Sequence, residues 1–294
     1  MTPAPAERLA TLRVLVGGFA VGYLVVRLPH FWSIMDLDAR RWDPVGLYAG
    51  LDAPLPAALS RAFLVLAIVT GLAFVAGWRY RVLGPCFAVL LLVVMTGRNS
   101  WGQVWHTENL LCWHALILAC APAAAVLSVD AKRAPARPSP GEQYAWPIML
   151  MSVVTVATYV LAGVTKLREG GIDWITGEAL HNHVAFDNVR KAALGADSSP
   201  FAGPVLRHAW IFRPFAWAAL AVELGAPVAF LGRRWRNVWV AAAWSFHVGI
   251  AALMAIGFPY QLLGVAYASF FPVERIRQRL AEGRPRLARA RLRT

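Results

Sequence analysis

Residues 145–166 read AWPIMLMSVVTVATYVLAGVTK, an apolar run that carries no charge before its last residue, Lys166. About 20 such residues, coiled as a helix, cross the hydrocarbon layer of a bilayer. Similar apolar segments recur along the whole chain. They lie at residues 11–28, 56–77, 82–97, 109–129, 145–166, 212–231, 237–256 and 260–272. The sequence therefore predicts an all-α, polytopic transmembrane bundle of about eight spans.

The composition agrees with a membrane protein and excludes several other classes. Apolar residues make up 58% of the 294 residues and charged ones only 15%, whereas soluble domains are about half apolar and a quarter charged. The net charge is +13, but a nucleic-acid-binding protein would not interrupt its basic residues with long apolar runs. Three Cys are too few for a disulfide scaffold. We expect membrane lipid, and no nucleic acid, as a partner.

The basic residues predict an orientation for the bundle. Cytoplasmic loops of membrane proteins are enriched in Lys and Arg. Alternation of eight spans puts the loops richest in these residues, together with the Arg-rich segment 273–294, on the side of both termini. We therefore expect a multi-pass protein of the cell membrane with both termini in the cytoplasm. Residues 1–275 are expected to form one membrane domain, and residues 276–294 a basic tail on acidic head groups.

Ionisable side chains at membrane depth are costly and tend to face a cavity or an interior. In the eight-span layout several of them lie at the outer ends or in the middle of the later spans, so we expect an outward-facing cavity. These residues are His106, Glu108, Lys166, Glu223 and His247.

Lys166 has two interpretations. A lysine at a helix end commonly extends its ammonium to the lipid head groups. In an apolar, partly dry pocket, however, burial disfavours the charged form, and the neutral amine is then available as a base. Gly163, one turn earlier, would allow a helix or a ligand to approach closely.

Other ionisable residues also have structural interpretations. Glu223 would be structural if it pairs with Arg27 or Arg61. His106 and Glu108 agree with a capped helix start.

No metal site is predicted. Glu178 and His181 share a helix face, with His183 and Asp187 nearby, but a di-iron site needs a second copy of this motif. The chain contains no Walker loop, dinucleotide fingerprint or G-x-S-x-G elbow, so the usual support for ATP hydrolysis, hydride transfer or serine hydrolysis is absent.

These stretches resemble the membrane domain of the vitamin K-dependent γ-glutamyl carboxylases and of their bacterial relatives, the HTTM-type membrane proteins. The similar motifs follow the family's order along residues 10–275. They are residues 71–81, 99–101 with His106, 127–130, 162–167, 173–177, 223–227, 246–247 and 256–258.

The resemblance implies a reaction. The second Lys of the family's Gly-Val-Lys-Lys-Leu motif is the base that starts it, and this Lys falls on Lys166. It deprotonates a reduced vitamin K, a menaquinol-type hydroquinone, which reacts with O2 to give a strong alkoxide base. The alkoxide removes the γ-proton of a peptide Glu, and the carbanion captures CO2. The family His that follows the Ser-Trp motif matches His106, which would assist the proton transfers.

The resemblance also implies residues that bind substrate or cofactor. They are His247, Trp101, Asn99, Glu108, Trp174 and Glu223. The sequence departs from the family pattern at three points. Thr165 replaces the first of the paired lysines, two extra residues separate Trp101 from His106, and the large lumenal region that binds the peptide in vertebrate carboxylases is missing from this sequence.

Two functions are therefore carried forward. The first is a quinol- and O2-dependent carboxylase or epoxidase, a lyase-type enzyme with its site on the extracytoplasmic side. The second is a non-catalytic membrane factor that binds a quinone, a lipid or a peptide. In either case a small secreted peptide is an expected partner, since some bacterial relatives serve peptide maturation.

Overall fold

The fold consists of helices joined by turns. A computed structural model describes residues 2–102, 108–133 and 138–276. Within these ranges it has one isolated β-bridge, between Ala4 and Gly141, and no strand. The all-α class predicted from the apolar runs is therefore confirmed.

The first of two compact units comprises Met1–Ser152 with Ala268–Thr294. Its helices are α1 (Ala6–Val26), α2 (Leu28–Ile34), α3 (Ala57–Ala76), α4 (Tyr80–Asn99), α5 (Asn109–Ala119) and the beginning of α6 (Glu142–Thr176), with 3-10 turns at Ala39–Arg41, Gly46–Tyr48 and Asp130–Arg133. Helix α3 packs against both α1 and α4, and α4 packs against α5. A Cβ on Gly17 would lie 2.7 Å from the Phe74 ring, so a residue without a side chain lets α1 and α3 approach closely.

The second unit comprises Val153–Tyr267. Its helices are the rest of α6, α7 (Glu178–Ala193), α8 (Ala202–Leu206), α9 (Phe212–Leu224), α10 (Arg233–Met254) and α11 (Pro259–Leu262), with 3-10 turns at Ala209–Ile211, Ala226–Phe230 and Val265–Phe270. Helix α6 is kinked at Gly171, where φ is +49°, a conformation that glycine adopts without a steric penalty. Helix α10 packs against α9 and α7.

Among the described residues, five helices are long and apolar enough to cross a membrane. They are α1, α3, α4, α6 and α10. Each overlaps one of the predicted spans, including the short span predicted at 82–97, which becomes the 20-residue helix α4. These helices agree with a membrane protein, while the number of passes and the side of the termini stay predictions.

The predicted spans at 109–129, 212–231 and 260–272 are not single long helices. Helix α5 ends at Ala119, before Pro122, and α9 ends at Leu224, before Gly225 and Pro227. Helix α11 is one turn long and is followed by Gly264 with φ +75°. Proline cannot donate a helix hydrogen bond and its ring clashes with the preceding turn, which explains the breaks at Pro122 and Pro227.

A buried arginine that the sequence analysis did not single out anchors the first unit. Arg13, in α1, is 0% exposed. Its guanidinium donates hydrogen bonds to the carbonyl oxygens of Ala123 (3.2 Å) and Leu127 (2.6 Å), and it lies 5.8 Å from the centroid of the Tyr80 ring. The arginine thus satisfies carbonyl groups of the irregular segment that follows α5.

Candidate functional site

Lys166 and Glu223 form an ion pair in the second unit. The ammonium of Lys166, in α6, donates to Glu223 Oε1, next to the end of α9. The Glu223 side chain is 3% exposed and that of Lys166 is 22% exposed. The prediction that Glu223 pairs with Arg27 or Arg61 is therefore wrong. Arg61 pairs with Asp36 instead.

Gly163 explains why this pair can form. It lies one turn before Lys166, so both residues face the same side of α6. A Cβ on Gly163 would be 2.8 Å from Cδ2 of Leu224 and 3.1 Å from Cβ of Glu223. The absence of a side chain thus lets α9 approach α6 closely enough for the carboxylate to reach the ammonium.

Two aromatic rings flank the ammonium of Lys166. Its Nζ lies 5.2 Å from the centroid of the Trp174 ring and 5.4 Å from that of Phe246, within the range of cation–π attraction. Trp174 follows the kink at Gly171 in α6 and is 7% exposed. Phe246 is not among the predicted site residues, although it belongs to the family motif at residues 246–247 and precedes His247 directly.

His247 belongs to a buried hydrogen-bonded chain next to this pair. Its Nε2 lies 2.8 Å from the hydroxyl of Tyr159, which in turn lies 2.6 Å from the hydroxyl of Tyr267. The Trp239 ring packs edge-on against both tyrosine rings. Tyr159 and Tyr267 are not among the predicted site residues, although Tyr159 lies in the same apolar run as Lys166.

Glu108 forms a second buried ion pair, in the first unit. Its Oε1 lies 3.0 Å from Nη1 of Arg98 and also accepts a hydrogen bond from the Tyr23 hydroxyl. The side chains of Arg98 and Glu108 are 4% and 8% exposed. Breaking such a buried pair leaves an uncompensated charge and is strongly destabilising. This geometry fits a structural role for Glu108.

Trp101 and Asn99 lie near the end of α4 in the same unit. The Trp101 ring packs edge-on against Trp42, with centroids 5.1 Å apart. Trp101 and Arg98 line a cavity of about 30 Å³. Ligand pockets occupy about 300–1,000 Å³, so this cavity has room for ordered water and not for a quinone ring. Asn99 is buried, at 8% exposure.

A family model described as the HTTM domain matches residues 1–274. The chain belongs to the HTTM family. HTTM domains are found in vitamin K-dependent carboxylase-like membrane proteins, so the family assignment made from the motifs is confirmed. The chain matches no curated protein and no solved structure.

The predicted site residues of this HTTM domain fall into separate groups. Lys166, Glu223 and Trp174 are in contact, and His247 lies in the adjoining hydrogen-bonded chain. Asn99, Trp101 and Glu108 belong to the first unit. His106 lies outside the described residues.

The residues considered for a metal site have other partners in this HTTM domain. Asp187 pairs with Arg190 and Lys191 (3.1 and 2.8 Å), and the His183 ring packs on Trp174. Within residues 2–102, 108–133 and 138–276, no group of three or more His, Cys, Asp or Glu side chains could hold a metal ion.

Proposed function

We propose that this HTTM protein is a membrane enzyme that deprotonates a reduced quinone, with Lys166 as the base. The observation that supports this most is the partly buried Lys166–Glu223 pair, whose ammonium lies beside the rings of Trp174 and Phe246. Flat aromatic side chains beside an amine suit a flat hydroquinone ring whose hydroxyl must reach that amine.

The paired carboxylate gives Lys166 a way to act as a base. The pair shares a proton that either partner can hold, as ammonium with carboxylate or as amine with carboxylic acid. When Glu223 takes the proton, the free amine of Lys166 accepts the proton of the substrate hydroxyl. The ammonium formed then lies next to the negative charge that develops on the substrate oxygen, which stabilises it in a site of low dielectric.

The family chemistry supplies the further substrates of the proposal. A deprotonated hydroquinone reacts with O2, and the base produced supports carboxylation with CO2. The acceptor in this proposal is a small secreted peptide that meets the site from outside the membrane. The buried Trp174 ring and the partly buried Phe246 ring beside Lys166 favour such chemistry, because a strong base requires that water be excluded.

The test is quinol oxygenation by the purified full chain in lipid nanodiscs, supplied with a menaquinol-type hydroquinone and air. We expect O2 uptake together with a quinone epoxide detected by mass spectrometry. Lys166→Ala is expected to lower the rate by about 100-fold or more, since general-base catalysis contributes roughly 10²–10⁴. Lys166→Arg is the matched control, because it keeps the charge and the pairing but cannot serve as a base. Parental activity in Lys166→Ala would rule out Lys166 as the base.

A second candidate function follows from the same ion pair. Because Glu223 already neutralises the Lys166 ammonium, the pair also suits a protein that holds a quinone, a lipid or a peptide without turnover. Maturation of the secreted peptide at the parental level in Lys166→Ala cells, with quinone still co-purifying, would favour this binding function.

A further inference from the structure

A chain of three polar side chains is buried in the apolar interior of the second unit. Tyr267, Tyr159 and His247 are 2%, 5% and 5% exposed. Hydrogen bonds of 2.6 and 2.8 Å join them in that order. A buried polar network is stabilising only when its groups satisfy one another, and phenylalanine rings would fill the same space without that requirement. The network therefore calls for an explanation other than packing.

Position along α6 connects this chain to the candidate site. Tyr159 precedes Lys166 by about two helical turns, which puts both on one face of the helix. Gly163 lies between them, and a Cβ there would touch Cβ of Glu223 at 3.1 Å. The carboxylate of Glu223 thus lies beside the α6 face that runs from Tyr159 to Lys166.

The second oxygen of this carboxylate is available for a further bond. Oε1 of Glu223 accepts from Lys166, while Oε2 is buried and has no hydrogen-bond partner in the described part of the chain. Glu223 is 2% exposed. An unpaired carboxylate oxygen buried to this degree is costly, and a role in proton transfer would account for it.

We propose that Tyr159 and His247 carry away the proton that Lys166 takes from its substrate. This inference rests on the proposed function. After the substrate hydroxyl has given its proton to the Lys166 amine, the pair consists of an ammonium and a carboxylic acid. The Glu223 carboxyl gives its proton to the Tyr159 oxygen as the Tyr159 hydroxyl gives its own proton to His247 Nε2. The pair returns to ammonium and carboxylate, and His247 becomes an imidazolium, which releases its proton to water before the next turnover.

The residue types suit these roles. A phenol accepts and donates a hydrogen bond at the same oxygen. The proposed transfer requires a rotation of the Glu223 carboxyl, or one bridging water, to join it to the Tyr159 hydroxyl. Imidazole is the side chain that gains and loses a proton near neutral pH. Tyr267 acts as a positioning residue, since its hydroxyl bonds the Tyr159 oxygen and holds it in line with His247.

The experiment compares the first turnover with later ones. Tyr159→Phe keeps the ring and removes only the hydroxyl. With the full chain in nanodiscs and a menaquinol-type hydroquinone, we expect one product per protein to form at nearly the parental rate. Later turnovers should be slower by about tenfold or more, with kcat and KM lowered together, kcat/KM unchanged, and a larger solvent deuterium isotope effect on kcat. Tyr144→Phe is the matched control because Tyr144 is also a buried tyrosine of α6, 4% exposed, and it should match the parent.

His247→Gln provides a second variant in case Tyr159→Phe folds poorly. Glutamine keeps a hydrogen-bonding group but cannot carry the proton, so the same burst is expected. A first turnover slowed as much as the later ones would overturn the relay, because it would show that the network only supports the structure. If both variants sustain the parental rate over many turnovers while Lys166→Ala is inactive, the relay is wrong but the proposed function still stands. Full activity of Lys166→Ala would instead remove the proposed function on which the relay rests.

Discussion

At the scale of single residues, the candidate site depends on one missing side chain. Gly163→Ala would put a methyl group 2.8 Å from Leu224 and 3.1 Å from Glu223, so the Leu224 side chain must turn away and α9 must shift by a few tenths of an ångström at Glu223. Overpacking of this kind costs about 1–3 kcal/mol, and the displacement also separates Glu223 from Lys166. We expect a lower unfolding temperature and a loss of quinol oxygenation larger than the change in stability explains.

The control for this substitution is Gly249→Ala in α10, where an added Cβ would meet nothing within 4 Å. Alanine favours a helix over glycine by up to about 1 kcal/mol, so Gly249→Ala should leave the unfolding temperature equal or raised. Thermal unfolding in detergent and the oxygenation rate measure both effects. Equal unfolding temperatures and equal oxygenation rates in the two variants would show that the site does not depend on the close approach of α9 at Gly163.

The residue scale is also where the sequence analysis was least complete. The apolar run ending at Lys166 marked the lysine, and the outlying carboxylate marked Glu223. That they pair with one another was not predicted, because 57 positions separate them and the pairing depends on how α6 and α9 rotate and approach. Arg13 was missed for a related reason. Its partners are main-chain carbonyls of the segment after α5, which no side-chain pattern indicates.

At the scale of elements, the last carbonyl groups of α10 accept hydrogen bonds from side chains of α7 and of the segment that follows α7. Asn188 donates to the carbonyl of Leu253 (2.9 Å), Lys191 to that of Met254, and Ser199 to that of Ala252. The last carbonyls of a helix have no partner within it, so these side chains supply the missing donors. Asn188 also accepts a hydrogen bond from the backbone N–H of Ser199 (2.8 Å), which fixes the chain beyond α7.

Asn188→Ala should therefore destabilise the second unit by about 1–3 kcal/mol, the cost of leaving buried polar groups without partners. Asn182→Ala on the same helix is the control, since Asn182 is exposed, and it should change stability by less than about 0.5 kcal/mol. Chemical denaturation of the full chain in detergent measures both variants. If Asn188→Ala lowers the free energy of unfolding no more than Asn182→Ala does, the hydrogen bonds of Asn188 do not stabilise the end of α10.

The observed helices also show which parts of the secondary structure the apolar runs of the sequence predict and which they do not. Mainly apolar runs predicted the helices that became α1, α3, α4, α6 and α10. Hydropathy does not detect a position at which helical hydrogen bonding stops. The predicted spans at 109–129, 212–231 and 260–272 therefore run across the residues at which the helices end, which are Pro122, Gly225 with Pro227, and Gly264. The turn residues were visible in the sequence, and giving them more weight would have shortened these segments.

At the scale of the whole molecule, Arg8 near the start of the chain is joined to Glu274 at the end of the HTTM match. The guanidinium donates from Nε and Nη2 to the two carboxylate oxygens, at 3.0 and 2.9 Å. A paired, two-point contact of this kind is stronger than a single hydrogen bond. It ties α1 to the returning end of the chain within the first unit.

The ion pair between Arg8 and Glu274 leads to a prediction about the stability of the protein in acid. Partial burial alone would raise the pKa of Glu274, but hydrogen bonds from the Arg8 guanidinium and the backbone, together with the positive charges of Arg8 and Arg275, outweigh it and lower this pKa below its ordinary value. A lowered folded-state pKa contributes stability that is fully present above the unfolded-state value, near 4.5, and is lost as the pH falls through the folded-state value. The unfolding temperature of the full chain should therefore fall as the pH decreases from about 5 towards 3. Because the pair is partly exposed, its share is at most about 1 kcal/mol.

Glu274→Gln isolates that share, because the amide cannot be protonated in this range and no longer pairs with the guanidinium. At neutral pH the variant should unfold at a lower temperature than the parent, and the difference should shrink as the pH approaches 3. The other carboxylates respond equally in both proteins, so the difference between the two curves reports on Glu274. If the difference in unfolding temperature stays constant from pH 7 to pH 3, the substitution acts through packing and not through the charge of Glu274.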